Sequence, residues 1–141
     1  MRLKVVDAEK CVGCQCCMFA CTRRFGKSGT SKSSIHIRSN GENGKGFIVV
    51  VCRACKSPPC AEVCPNNALK LRNGGGVILD SAKCIGCGMC KNACILKAVF
   101  TDNKNKPMIC VHCGTCAKYC PYGVLALKKE ENENVEENEN C

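Results

Sequence analysis

The chain has 141 residues, the size of one domain or two closely fused halves. It has 18 cysteines, no tryptophan and 4% aromatics, so its 45% hydrophobic content overstates the core it can bury. The formal charge is +9, yet no aromatic interleaving or nucleic-acid module accompanies it, which argues against nucleic-acid binding.

In chain order, residues 1–7 hold no apolar signal-peptide region, and Arg23-Arg24 lacks the apolar stretch that follows a twin-arginine signal. No apolar run approaches the length of a membrane span. These features set the expectation of a cytoplasmic protein with no membrane span. A short helix is predicted around residues 18–22. Residues 22–51 form the longest stretch between cysteine groups: a basic, serine-rich segment, then apolar runs at 34–38 and 47–51 around a glycine-rich turn. That pattern predicts a β-hairpin, read first as a cover and second as a docking element. A helix is expected at 60–64. Residues 66–71, the turn at 72–76 and residues 77–80 read as strand, glycine turn, strand. A helix is expected at 89–93, then strands at 98–100 and 107–109 about a polar turn. A last helix at 115–119 and a strand at 124–127 complete the pattern. Residues 128–141 are an acidic, Asn/Glu-rich tail with the composition of a disordered segment.

Sixteen cysteines punctuate these elements in four groups of four. Cys11, Cys14, Cys17 and Cys21 follow C-x2-C-x2-C-x3-C; so do Cys84, Cys87, Cys90, Cys94 and Cys110, Cys113, Cys116, Cys120. Cys52, Cys55, Cys60 and Cys64 carry a longer middle step, C-x2-C-x4-C-x3-C. This is the run that holds [4Fe–4S] clusters in bacterial ferredoxins. Short steps let the chain curl around a cluster, and Gly13, Gly86, Gly88 and Gly114 supply left-handed backbone inside the loops. Four thiolates per cubane gives four [4Fe–4S] clusters.

Zinc sites pair C-x2-C knuckles or mix cysteine with histidine, and disulfides need an oxidising compartment. Neither matches a fourfold ferredoxin run. Each oxidised cluster with its thiolates carries about −2, which brings the loaded protein near neutrality. The basic residues then compensate the clusters and meet an acidic partner. With so little conventional core, ligation supplies much of the folding energy. The fold class is α+β: loop-rich, with short strands and helices.

The string Cys52-Arg53-Ala54-Cys55-Lys56-Ser57-Pro58-Pro59-Cys60-Ala61-Glu62-Val63-Cys64-Pro65 resembles the second cysteine group of a known family. These are the four-cluster iron–sulfur subunits of molybdopterin and tungstopterin oxidoreductases, such as the electron-transfer subunits of DMSO reductase and formate dehydrogenase. The resemblance spans about residues 1–127 and all sixteen cysteines. Many relatives stretch the fourth group between its second and third cysteines; here it is compact. In that respect the chain is most similar to the small polyferredoxin subunit of tungsten-containing aldehyde ferredoxin oxidoreductases.

The resemblance implies two interleaved ferredoxin-like modules within 1–127, one joining groups 11–21 and 110–120, the other joining 52–64 and 84–94. It implies four ligand sets: Cys11, Cys14, Cys17 with Cys120; Cys110, Cys113, Cys116 with Cys21; Cys52, Cys55, Cys60 with Cys94; and Cys84, Cys87, Cys90 with Cys64. A plain tandem of two ferredoxins would pair group one with two and three with four. The implied role is an electron-transfer subunit, not itself an enzyme, in a hetero-oligomer. Its partners are a tungstopterin or molybdopterin catalytic subunit, with aldehyde oxidation as the partner's chemistry, and a ferredoxin or further redox subunit. A free-standing polyferredoxin is the alternative; a redox-sensing or zinc-binding module is the distant one.

Outside the groups, Cys16 reads as a small buried or half-buried thiol and Cys141 as a free one. His112 has no ligand vacancy to fill and reads as a hydrogen-bonding neighbour of a cluster. His36 reads as an ordinary exposed or packed side chain. Val12, Ile85 and Val111, which follow first cysteines, read as shields against water.

Overall fold

The computed structural model describes residues 1–41 and 46–129; the middle of the glycine-rich tip and residues 130–141, with Cys141, lie outside the described residues. In chain order come β1 (Arg2–Val5), a 3-10 turn (Ala8–Lys10), α1 (Cys16–Arg24), β2 (Ile35–Ser39), β3 (Phe47–Val51) and α2 (Pro59–Glu62). Then follow β4 (Leu69–Leu71), β5 (Val77–Leu79), α3 (Met89–Ala93), β6 (Phe100–Thr101), β7 (Pro107–Met108), α4 (Thr115–Tyr119) and β8 (Leu125–Lys128). The class is the loop-rich α+β arrangement that the cysteine spacing and short apolar runs predict.

Each described strand has one antiparallel partner. Three pairs are local hairpins. β2 and β3 register Ile35 against Val51 and Ile37 against Val49. β4 and β5 register Leu71 against Val77, and β6 and β7 register Phe100 against Met108. The fourth pair joins the chain's two ends: Leu3 of β1 lies opposite Leu127 of β8. Nothing local in the sequence predicts β1. Four residues with no turn beside them give no hairpin signal, and their partner lies more than a hundred positions away.

α1 packs on α4, and α2 packs on α3. Each pair has its own core. Leu3, Met18, Ile35, Val51, Val124 and Leu125 surround the first; Leu69, Val77, Val99 and Ile109 surround the second. Cys52 borders both. Burial of an aliphatic side chain stabilises by about 1.5–3 kcal/mol, but these cores are thin and share their volume with thiols. The β2–β3 hairpin fastens to the far half through His36, whose ring stacks on Phe100 with centroids 3.8 Å apart. Packing, rather than exposure, is therefore what His36 does.

Candidate metal centres

The four groups repeat one backbone path. Two residues after each first cysteine the chain turns left-handed, at Gly13 (φ +71°), Ala54 (+55°), Gly86 (+73°) and His112 (+56°). It does so again before three of the helices, at Gln15 (+62°), Gly88 (+77°) and Gly114 (+77°). Glycine takes this conformation freely; Ala54, His112 and Gln15 each bear a cost of about 1–2 kcal/mol. Sequence reasoning found the glycines and missed the other three, because only the repeat of structure reveals that they occupy the same positions.

The turn aims amides at sulfur. Ala54 N–H donates to Cys52 Sγ at 3.4 Å, and His112 N–H to Cys110 Sγ at 3.3 Å. At the other end of three groups, the amide four residues beyond the last cysteine does the same: Ala68 to Cys64, Ala98 to Cys94 and Val124 to Cys120, at 3.3–3.4 Å. A left-handed residue just before each, Asn67, Lys97 or Gly123, bends the chain back. α1 runs on past Cys21, so that sulfur receives its amide from Ser34, at the foot of the β2–β3 hairpin, at 3.4 Å. Such amides favour the thiolate form. Burial opposes ionisation of Cys64, but the amides of Ala68 and Asn66 outweigh it and the thiol sits below its ordinary value.

Exposure repeats as well. The second cysteine of every group, Cys14, Cys55, Cys87 and Cys113, is exposed, while the third, Cys17, Cys60, Cys90 and Cys116, is buried. Burial pushes the thiols of Cys110 and Cys116 up to about 12 and those of Cys17 and Cys60 up to about 11. Without a bound cation these buried sulfurs stay protonated at neutral pH. Metal ligation needs thiolates, so loading must displace their protons.

Four apolar cavities gather the sixteen sulfurs. One is lined by Cys11, Cys14, Cys17 and Cys120, with Ile37 and Val49 of the hairpin beside them. A second is lined by Cys21, Cys110, Cys113 and Cys116. A third is lined by Cys52, Cys55, Cys60 and Cys94, and a fourth by Cys64, Cys84, Cys87 and Cys90. Each thus takes three sulfurs from one group and one from another. Val12, Val111 and Ile85 line the first, second and fourth cavities. Among the described residues, no three His, Cys, Asp or Glu side chains converge as a single ion requires. The sulfurs surround a volume instead, which is what a multi-atom cubane fits.

Cys16 corrects the expectation of a buried or half-buried thiol. It is exposed, because it opens α1 beside Cys17 and consecutive helical side chains diverge. The neighbouring Cys14 raises its pKa. His112 is buried and takes its place against β1 rather than in a ligand set. No described helix is long and apolar enough to cross a membrane.

The comparisons agree with this chemistry. Residues 106–126 match the family described as the 4Fe-4S binding domain. The chain is 30% identical over 136 residues to an uncharacterized ferredoxin of Methanocaldococcus jannaschii, covering 92% of this chain and 82% of that one. It is 31% identical over 118 residues to a tetrathionate reductase subunit of Salmonella typhimurium, covering 77% of this chain and 47% of that one. It is 36% identical over 94 residues to the thiosulfate reductase electron transfer subunit of Salmonella typhi, covering 62% and 49%. The chain thus spans about half the length of these two reductase subunits and most of the archaeal ferredoxin. Sixteen cysteines in the ferredoxin arrangement, four cavities of four sulfurs and these relatives lead to one conclusion: the chain belongs to the 4Fe-4S ferredoxin-type family of electron-transfer proteins.

Proposed function

We propose that this protein is the four-cluster electron-transfer subunit of a molybdopterin- or tungstopterin-type oxidoreductase. The observation that carries the reading is the grouping of four sulfurs around each of four cavities. The ligand sets are Cys11, Cys14, Cys17, Cys120; Cys21, Cys110, Cys113, Cys116; Cys52, Cys55, Cys60, Cys94; and Cys64, Cys84, Cys87, Cys90. The bound clusters supply one-electron chemistry; the chain's own residues hold, space and shield them.

Packing supports an order along the relay. The charge of Cys17 pushes the Cys116 thiol up and that of Cys52 pushes Cys110 up, so these sulfurs are neighbours, and α2 lies on α3. This supports a line in which the Cys110 and Cys52 sets are inner and the Cys11 and Cys84 sets are outer. Apolar side chains stand in solvent at all four cavity mouths, Tyr122 at the first, Phe25 at the second, Ile95 (86% exposed) at the third and Ile85 at the fourth. Exposed apolar groups beside a redox site suit a partner surface. The catalytic subunit would deliver electrons, with aldehyde oxidation as its reaction, and a ferredoxin or further redox subunit would accept them, in the cytoplasm.

A free-standing polyferredoxin is the second reading, favoured by the 82% coverage of the archaeal ferredoxin. The test is metal analysis of untagged protein purified anaerobically from its native host with whatever remains bound. Iron for four cubanes together with tungsten supports the aldehyde-oxidising assembly. Molybdenum shifts the partner to the wider molybdopterin class. Iron with no second protein favours the free polyferredoxin, and zinc in place of iron overturns the reading.

A further inference from the structure

His112 sits in a ligand loop yet is only 3% exposed. Its Nδ1 accepts the backbone N–H of Leu3 at 3.0 Å, so the single ring proton is on Nε2. That N–H has no partner among the described residues. A buried donor left unpaired is costly, so one kept in a native fold calls for an acceptor.

The surroundings show which way the ring points. A Cβ built on Gly76 would stand 3.6 Å from Nε2 and 3.4 Å from Ala54 Cα. The ring therefore faces the glycine turn that backs the Cys52–Cys55 loop. The backbone N–H of the same residue donates to Cys110 Sγ. His112 thus lies between the loops of the two inner cavities. Arg2 stands nearby with its Nε also buried and unpartnered among the described residues. The Arg72 guanidinium donates to the Met1 carbonyl at 3.3 Å, and its backbone amide to Gly76.

We propose that the Nε2–H of His112, backed by Arg2 and Arg72, raises the reduction potentials of the two inner clusters above those of the outer two. The inference rests on the ligand sets proposed above. If clusters are bound there, reduction of one by electron transfer from its neighbour would add one negative charge, and a buried N–H donor with two cations beside it would favour that reduced form over the oxidised one. His112 acts here as a positioning residue that tunes the relay.

The test is an anaerobic EPR-monitored redox titration of the full-length loaded protein. Signals are assigned with Cys55→Ser and Cys113→Ser for the inner clusters, and Cys14→Ser and Cys87→Ser for the outer. His112→Ala and His112→Gln suit the backbone, since Ala54 and Gln15 already hold φ of +55° and +62° at related positions. His112→Ala should lower the inner potentials and leave the outer ones in place. His112→Gln, able to accept from Leu3 and still donate, should restore most of the difference. Arg72→Gln, which keeps the Leu3–His112 bond, should lower the inner potentials by itself. A full complement of iron with inner potentials unmoved in both His112→Ala and Arg72→Gln overturns the inference, as does an equal shift of all four clusters. Fewer than four cubanes of iron in the wild type sinks the ligand assignment first and this inference with it.

Discussion

Gly75→Ala probes how tightly the glycine turn is moulded to the Cys52–Cys55 loop. Gly75 holds φ +88°, and a methyl group there would run into the carbonyl oxygen of Ala54, with the Ala54 carbonyl carbon at 3.2 Å. That carbonyl belongs to the backbone of a ligand loop and cannot swing aside as a side chain would. The adjacent amide of Gly76 donates to Cys55 O at 3.1 Å, so displacing the turn also strains this bond. Left-handed backbone costs a non-glycine residue about 1–2 kcal/mol, and the clash adds about 1–3 kcal/mol, for a total of about 2–5 kcal/mol. Gly123→Ala is the control: φ is +64°, but its methyl would meet nothing within 4 Å. It bears only the first cost. At about 3–5 °C per kcal/mol for a chain of this size, Gly75→Ala should melt at least about 3 °C below Gly123→Ala. The assay is anaerobic thermal bleaching of the loaded proteins at one fixed scan rate, because cluster loss makes melting irreversible. Equal midpoints for the two variants would refute the argument that the turn is shaped by contact with the loop.

Removing iron with a chelator under anaerobic conditions should abolish cooperative melting and native circular dichroism, because the two cores are thin and lined by ligands; an apoprotein that keeps both would contradict this. Serine at the exposed Cys14 should leave the fold intact with an altered cluster. Serine at the buried Cys17 of the same cavity should cost both cluster and stability, and equal melting of the two variants would count against the inside–outside pattern of second and third cysteines. His36 is held below its ordinary value, first by burial against its neighbours. A base with a depressed pKa adds stability that is present above its unfolded pKa of about 6.5 and lost as pH falls through the folded value. Hydrogen exchange across β2 and β3 should therefore quicken as pH falls from about 6.5 through the folded value, after correction for intrinsic rates. The same profile in His36→Gln would remove His36 as the cause.

The chemistry was legible in the sequence because a cubane imposes its geometry on a short stretch of chain. Three sulfurs must come from one tight loop, so the spacing Cys11, Cys14, Cys17 and its three counterparts survives as text. The hairpins were legible for a similar reason: β4 and β5 are neighbours across a glycine turn, and their pattern is local. Other features depend on residues far apart in the chain. β1 is a strand by pairing with β8, and the same strand supplies the Leu3 amide that His112 accepts. Ala54 and Gln15 adopt left-handed backbone that their side chains disfavour, at the points where the repeated ligand loop turns. Cys16 and Cys17 have the same side chain, and helix geometry alone turns one outward and the other into a cavity. The sequence by itself determined the number and kind of thiol groups and the class of cofactor they suit. Which distant sulfur closes each cavity was decided only by the packing of α1 on α4 and α2 on α3, since a fourth ligand can reach a cavity from any group that the fold brings beside it.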